Sequence, residues 1–297
     1  MIPFVRDFDP EYGVCRRVSP RIRRVVANNP GPFTYTGTGT YIVGNGTVAV
    51  IDPGPEDAAH LEALLAAVGD ETVSHVLVTH THRDHAPLAR PFADAVGALV
   101  LAARPPARET HASGALDEAE DQTFRPDVIL GDGDRIAGPD WTLETLATPG
   151  HASNHLAFAL IEENALFSGD HVMGWATSVV APPDGDMGAY MDSLERVTAR
   201  GFAALWPTHG APVTDVAPFL TAYKAHRLER EAQIVARLEA GDRTISAMVP
   251  GLYAAVDQRL WPAAALSVLA HLIDLVRRGL VVCKGEPELG SVFRLRS

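Results

Sequence analysis

Four side chains with metal-binding groups lie within one short stretch, at His80, His82, Asp84 and His85. They follow the apolar run Val76-Leu77-Val78, which is typical of a buried strand. On an extended strand end, positions 80 and 82 face the same way and can turn toward one ion, whereas positions 84 and 85 enter the next element and can face a second ion. The spacing therefore predicts a metal-binding loop, and a merely polar loop rich in histidine is a weaker interpretation.

Three further candidate ligands, His151, Asp170 and His209, each stand at a predicted strand end next to a glycine. Glycine permits the short turn that can aim such a side chain into a shared cleft. Together with the loop they provide five imidazoles and two carboxylates, which is the number expected for two metal ions. Nitrogen and carboxylate ligands without thiolate suit Zn²⁺, two per chain, with Mn²⁺ or Fe possible on ligand type alone.

Hydrophobic periodicity predicts the elements that must position these residues. Strands are predicted over residues 40–43, 48–51, 76–79, 98–101, 141–147, 156–161, 165–167 and 203–206, and helices over 57–68, 84–96, 187–198 and 216–239. The turn Gly44-Asn45-Gly46 predicts a hairpin of the first two strands. We expect His60, in the first helix, to be exposed, and residues 104–138, which contain His111, to form a long surface excursion.

The pattern changes near the C-terminal end of the chain. Gly241 and Asp242 follow the helix predicted over 216–239 and are expected to end it. Short helices over 245–248 and 252–256, a longer helix over 263–278, and two short strands over 281–283 and 291–294 then predict a small winged-helix-like domain. We therefore divide the chain into a catalytic domain, residues 1–240, and a C-terminal domain, residues 241–297.

Composition and charge narrow the function classes. A net charge of −12 disfavours long-range attraction to a nucleic-acid backbone or an anionic membrane, although it leaves room for a local basic groove. Cys15 and Cys283 lie at opposite ends and predict no disulfide framework, so we expect a reducing, cytoplasmic setting. Residues 1–14 contain three acidic side chains and no apolar core, unlike a secretory signal. The longest apolar run, residues 95–103, is too short to cross a bilayer.

The ligand motifs resemble those of the metallo-β-lactamase superfamily, and the resemblance covers nearly the whole chain. It implies an α/β fold, an αββα sandwich, with His80, His82 and His151 at a first metal, Asp84, His85 and His209 at a second, and Asp170 bridging them. With a bridging carboxylate, the ligand set resembles that of glyoxalase II and of the ribonuclease Z type. This resemblance argues against antibiotic hydrolysis. Asp52 matches the superfamily's aspartate that positions the ligand loop, with a simple turn residue as the alternative.

Within that superfamily the chain is most similar to the beta-lactamase-like protein 2 group. The resemblance rests on residues 29–32 (NPGP), 37–41 (GTGTY), 148–155 (TPGHASNH) and 223–231 (YKAHRLERE), and on the winged-helix-like tail. That group includes single-strand-specific endoribonucleases and proteins without an assigned substrate. The resemblance therefore implies a hydrolase and leaves its substrate open.

Two bound cations can share a bridging hydroxide and clamp the oxygens of a reacting group, with Asp84 placed to accept a proton. We therefore expect hydrolysis of a small ester, thioester or lactone, and the charge balance favours such a substrate over single-stranded RNA. A metal-dependent endoribonuclease is the first alternative. The second is a non-enzymatic winged-helix DNA-binding regulator. It is disfavoured because the helix predicted over 263–278 carries only Arg277 and Arg278, at its very end, as Lys or Arg residues.

The remaining histidines are not expected to be ligands. His155 is interpreted as a residue that orients or packs beside a ligand, and the side chain of His171 should point away from the cleft. His226 is either a surface residue or part of the cleft wall. His75, His111 and His271 are expected to be structural or solvent-facing.

Overall fold

The computed structural model describes residues 1–106, 121 and 123–296. The strands are β1 Arg16–Arg17, β2 Ile22–Val26, β3 Gly39–Asn45, β4 Thr47–Ile51, β5 Thr72–Val78, β6 Leu99–Ala102, β7 Val128–Ile129, β8 Arg135–Ala137, β9 Thr142–Ala147, β10 Leu156–Leu160, β11 Ala165–Gly169, β12 Ala204–Pro207, β13 Val281–Val282 and β14 Arg294–Leu295. The α-helices are α1 Ala58–Val68, α2 Ala89–Val96, α3 Met187–Arg200, α4 Val216–Glu239, α5 Ile245–Leu252 and α6 Trp261–Arg277.

Two sheets carry the loops of interest. The first has seven strands in the order β1 to β7, antiparallel up to β4 and parallel from β4 onward. The second has five strands in the order β12-β11-β10-β9-β8, with β11 and β12 parallel and the other pairs antiparallel. Consequently β9, β11 and β12 all run in one direction. The segments that follow β4, β5, β9, β11 and β12 contain every predicted ligand and Asp52.

Alternation along the strands divides the buried side chains into layers. In β3, Tyr41 packs with Phe158 and Phe167 of the second sheet, whereas Ile42 packs with Leu64 of α1 and Phe92 of α2. On the outer side of the second sheet, apolar residues of β10 to β12 pack with α3 and α4. Helix, sheet, sheet and helix therefore stack in that order, which confirms the predicted αββα sandwich.

The C-terminal segment has its own core. Residues of α5, α6 and β13 pack with Phe293, and β13 pairs antiparallel with β14 as the predicted wing. Helix α4 contributes to two cores, with Phe219 and Tyr223 in the core of α3 and with Ile234 and Leu238 in the C-terminal core. The winged-helix arrangement is confirmed, and the division between residues 240 and 241 stays a prediction.

The expected exposure of His60 and the expected start of α2 were wrong. His60 is buried, because it shares one face of α1 with Leu64 and Val68, and its Nε2 lies 2.9 Å from the Thr40 hydroxyl. Helix α2 begins at Ala89 and not at Asp84, because Leu88 donates its N–H to the Gly54 carbonyl and holds the preceding residues in a turn.

The helix expected over 252–256 does not form, since α5 ends at Leu252, whose carbonyl accepts a hydrogen bond from Arg230. The predicted surface excursion contains the short strands β7 and β8. His111 lies outside the described residues.

One stretch of the described chain, Gln258–Arg277, is long and apolar enough to span a membrane by length and composition alone. The expectation from uninterrupted apolar runs missed it, because polar residues interrupt the stretch. Half of the most apolar 18-residue part of this stretch is buried, and Val268, Leu272 and Leu275 of α6 belong to the C-terminal core. Core helices of globular domains meet the same criteria, so packing accounts for the apolar character of this stretch.

Candidate metal centre

The loop after β5 is held by Asp52. Its Oδ1 accepts the Thr79 N–H at 2.7 Å, and its Oδ2 accepts the Thr79 hydroxyl at 2.7 Å. The same carboxylate lies 2.9 Å from His85 Nδ1. Asp52 also has a φ of 49°, a left-handed turn conformation. It is therefore both a turn residue and the residue that positions the ligand loop. Asp52 therefore fixes the start of the ligand loop and one of its imidazoles.

The first group of candidate ligands consists of three imidazoles, from His80, His82 and His151. His82 Nδ1 lies 2.9 Å from His80 Nε2 and 3.2 Å from His151 Nε2, so the three nitrogens converge. Contacts at the ring nitrogens that face away from this group orient two of the rings. His80 Nδ1 lies 3.0 Å from the Thr79 hydroxyl, and His151 Nδ1 lies 2.6 Å from the Val179 carbonyl.

The second group consists of Asp84, His85 and His209. Asp84 Oδ2 lies 3.3 Å from His85 Nε2 and 3.1 Å from His209 Nε2. His209 Nδ1 lies 3.1 Å from the Gly37 carbonyl, which orients its ring, while Asp52 orients His85. The side chain of Asp84 is 18% exposed and those of both histidines are fully buried, so Asp84 lies where the centre meets solvent.

Asp170 lies between the two groups. Its Oδ1 is 3.4 Å from His209 Nε2 and 3.7 Å from His85 Nε2, whereas its Oδ2 is 3.8 Å from His151 Nε2. The backbone N–H of Asp170 donates to His155 Nε2 at 3.1 Å, and the Thr148 hydroxyl lies 2.8 Å from His155 Nδ1. One carboxylate therefore faces both groups, and His155 positions it without joining either.

The charge environment differs between the groups. Burial and the neighbouring imidazole of His151 lower the pKa of His82 to about 3. Burial alone would lower the pKa of His209, but the carboxylates of Asp170 and Asp84 outweigh it and raise that pKa to about 10. The imidazole of His82 is thus held neutral, whereas the carboxylates around the second group attract positive charge.

The donor atoms fit metal ions. Three buried atoms that face the second group, His85 Nε2, His209 Nε2 and Asp170 Oδ1, have no hydrogen-bond partner within the described residues. Buried polar atoms are costly without a partner, and a cation between them would satisfy all three. Imidazole and carboxylate donors without thiolate suit Zn²⁺, Mn²⁺ or Fe.

All seven predicted site residues come together at this centre: His80, His82, Asp84, His85, His151, Asp170 and His209. His171 lies outside these groups, with its ring 4.9 Å from that of Tyr190, and burial lowers its pKa to about 3. His75 is half-buried and His271 is buried. The sequence analysis missed the role of Thr79, although its position directly before the first ligand could have indicated it. It also missed the backbone carbonyls of Gly37 and Val179, and no sequence signal indicates their roles.

The chain matches two known families. Residues 35–209 match the Metallo-beta-lactamase superfamily, and residues 244–289 match the Beta-lactamase associated winged helix domain. A similar curated protein is an Atrochrysone carboxyl ACP thioesterase of Aspergillus chevalieri, 34% identical over 77% of this chain and 69% of that protein. Another is Lactamase-like protein adaB of Aspergillus niger, 30% identical over 96% of this chain and 93% of that protein.

Two solved structures have a similar fold. A metallo-beta-lactamase family protein from Thermus thermophilus has a TM-score of 0.75 and 24% identity, covering 94% of this chain and 100% of the other. A beta-lactamase domain protein from Burkholderia ambifaria has a TM-score of 0.78 and 22% identity, covering 99% of this chain and 97% of the other. Both superpose on the catalytic and C-terminal parts together, as their coverage requires.

Proposed function

Since this chain belongs to the metallo-β-lactamase superfamily and is a hydrolase, we propose that it is a dinuclear metal-dependent thioesterase acting on a small acyl thioester. Esters and lactones are the neighbouring substrate classes. The observation that carries the proposal is the position of Asp170, whose two oxygens face the two ligand groups. A carboxylate in that position suits a centre in which two ions act on one substrate.

In this proposal, His80, His82 and His151 would hold one ion, Asp84, His85 and His209 would hold the other, and Asp170 would be a ligand of both. We propose Zn²⁺, with Mn²⁺ or Fe as the alternatives that the same donors accept. When bound, two divalent cations would polarise the acyl oxygen and lower the pKa of water toward neutrality. No serine or cysteine nucleophile is then required.

The protein's own groups orient the reaction. Asp84, the partly exposed carboxylate, would take up the proton that the attacking water loses. The buried hydrogen bonds behind His80, His85, His151 and His209 hold their other ring nitrogens toward the cleft. Fixed donors of this kind need no reorganisation during the reaction, which is the main benefit of a preorganised site.

Two features support an acyl substrate. The relative from Aspergillus chevalieri is a thioesterase by name. In addition, the apolar segment that contains Trp175 and Val179 adjoins the centre, since Val179 is the residue whose carbonyl faces His151. An apolar wall beside a polar centre suits an acyl group better than a phosphodiester backbone.

The alternatives have less support. A DNA-binding regulator would need free basic residues on the helix that reads DNA. The basic residues at the end of α6 are already paired, Arg277 with Asp186 at 2.7 Å and Arg278 with Glu231. The net charge of −12 likewise weakens the endoribonuclease alternative, which the following experiment tests directly.

The test is thiol release from acyl thioesters by the purified protein loaded with Zn²⁺ or Mn²⁺. Asp84→Ala should lower kcat/KM by about 10²- to 10⁴-fold, the usual contribution of a positioned proton acceptor. Asp192→Ala, which removes an exposed carboxylate of α3, should be without effect. Cleavage of end-labelled single-stranded RNA that is lost in Asp84→Ala, with no thioesterase activity, would replace the proposal by the endoribonuclease alternative.

A further inference from the structure

A cavity of about 270 Å³ lies between the catalytic domain and the C-terminal segment. One wall is the segment after β11 that includes Trp175 and Val179, a second wall is α4, and Tyr253 and the start of α6 complete it. The volume is near the lower end of small-molecule sites, and most of the lining side chains are apolar. The cavity is therefore large enough for a small, partly apolar group.

The cavity shares a wall with the metal centre. Val179 lines the cavity, and its carbonyl accepts the hydrogen bond that orients His151 at 2.6 Å. Trp175 also lines it and packs on Gly210, where an added Cβ would lie 3.2 Å from Trp175 Cδ1. Gly210 directly follows His209. A group in this cavity would therefore contact Val179 and Trp175, the two residues that connect its wall to His151 and to the turn after His209.

The charge of the lining is unusual for this acidic chain. His226, Arg227 and Arg230, on one face of α4, line the cavity, and no aspartate or glutamate is among the described lining residues. Neither arginine forms an ion pair with any residue that the structure describes. Arg227 is only 5% exposed, and its Nε has no hydrogen-bond partner among the residues that the structure describes. Positive charge at a largely apolar wall favours an anionic ligand.

The two arginines differ in what already holds them. Arg227 donates to the Ser178 carbonyl and lies 4.8 Å from the ring of Tyr190, so it supports the wall between cavity and metal centre. Arg230 is less buried, donates one hydrogen bond of 2.6 Å to the Leu252 carbonyl and lies 4.2 Å from the ring of Tyr253. These two contacts fix the guanidinium of Arg230 and leave it N–H groups to offer a ligand.

We propose that this cavity is the acyl subsite of the enzyme and that it selects an aromatic or otherwise apolar acyl group carrying a carboxylate, with Arg230 as the residue that contacts this anion. The inference rests on the proposed thioesterase function, which it deepens by naming the substrate class. Arg227 is the positioning residue, because it holds the wall through Ser178. An arginine that pairs with a carboxylate in two parallel hydrogen bonds provides both affinity and orientation.

The test compares two substrates of equal size that differ in charge. These are the N-acetylcysteamine monothioester of terephthalic acid and its neutral carboxamide counterpart, neither of which contains phosphate. The unmodified enzyme should prefer the charged substrate by roughly 10- to 100-fold in kcat/KM, the effect of one charge-assisted contact. Arg230→Gln should abolish this preference by slowing the charged substrate alone, and Arg230→Lys should restore part of it.

The matched control is Arg294→Gln, which removes the same charge from an exposed position of β14 that does not line the cavity. It should retain the full preference. Equal kcat/KM for the two substrates in the unmodified enzyme would overturn the inference. A coenzyme A thioester tests the other source of an anion. If Arg230→Gln slows coenzyme A thioesters whatever their acyl group, the arginine contacts phosphate and the inference is wrong.

A binding measurement separates this inference from the proposed function. Terephthalate and its monoamide are titrated against the metal-free protein by calorimetry, for the unmodified chain and both Arg230 variants. Selective binding of terephthalate that Arg230→Gln abolishes supports the subsite even if every thioester proves inert, in which case only the thioesterase proposal fails. Equal binding of acid and amide overturns the subsite whatever the catalytic activity. Circular dichroism shows that each variant is folded before it is scored.

Discussion

The two ligand groups of the centre face one another but differ in charge. The first consists only of imidazoles, and behind them are a hydroxyl and a backbone carbonyl, from Thr79 and Val179. The second contains the carboxylate of Asp84, and a second carboxylate, that of Asp52, lies behind His85. Carboxylates behind a ligating imidazole raise its basicity and fix its tautomer, so the second group should bind a cation more tightly than the first.

This asymmetry has a structural origin in the sheets. The second group gathers the loop after β5, the segment after β12 and, behind them, the end of β4, which pairs parallel with β5. The first group combines the same β5 loop with His151 after β9, on the second sheet. The loop after β5 therefore belongs to both groups, and Asp170, at the end of β11, is the other residue that faces both. Substitutions at shared residues should affect both ions, and those behind one group should affect mainly one ion.

The largest effect is expected for Asp170→Asn, because this residue faces both groups. The amide keeps the shape of the side chain but removes its negative charge, so we expect kcat/KM to fall by about 10⁴-fold or more as several kcal/mol of charge stabilisation are lost. Bound metal, measured by elemental analysis, should fall below two per chain. Asp192→Asn is the control, since that carboxylate is exposed on α3. Two tightly bound ions with activity within tenfold of normal would show that Asp170 does not connect the groups.

A smaller and selective effect is expected for Asp52→Asn. The carboxylate that orients His85 becomes a neutral amide, and loss of such a partner weakens metal binding by about 10- to 100-fold. Chelator competition should show this weakening for the ion of the second group, with a smaller change for the other ion, which Asp52 reaches only through Thr79. Asp70→Asn, at an exposed position after α1, should leave both affinities as they are. Equal weakening of both ions would contradict the assignment of Asp52 to the second group.

The convergence of the seven candidate ligands was predictable from sequence for a physical reason. His80 follows β5 of the first sheet, whereas His151 and His209 follow β9 and β12, which run in the same direction and so end at one edge of the second sheet. Superfamily membership and the sandwich fold, both expected from the ligand motifs, are confirmed. Local spacing was sufficient because each ligand lies close to the strand end or sharp turn that aims it.

Other features depend on long-range packing and could not be predicted. His82 presents Nδ1 where His80 and His151 present Nε2, a choice set by the surrounding rings. The cavity beside Arg230 exists only because α4 and α6 pack against the segment after β11. The burial of His60 is different, since its spacing of four residues from Leu64 was visible and indicated a shared buried face.

The smallest effect, and the one that tests the comparison most sharply, is expected for Thr79→Val. This substitution keeps the side-chain shape but removes the hydroxyl that donates to Asp52 at 2.7 Å and lies 3.0 Å from His80 Nδ1. Because a neutral hydroxyl orients an imidazole less strongly than a carboxylate does, binding of the ion in the first group should weaken by less than about tenfold. Chelator competition on the purified variant measures this change.

The same substitution should lower the free energy of unfolding of the metal-free protein by about 1–3 kcal/mol, since buried partners of the hydroxyl lose a hydrogen bond. Thr221→Val is the control, because its exposed hydroxyl donates to the Ala217 carbonyl within α4. If Thr79→Val instead weakened only the ion that Asp52→Asn weakens more, the hydroxyl would act through Asp52 alone. The two groups would then share one supporting network, and the difference in charge between them would not translate into separate metal affinities.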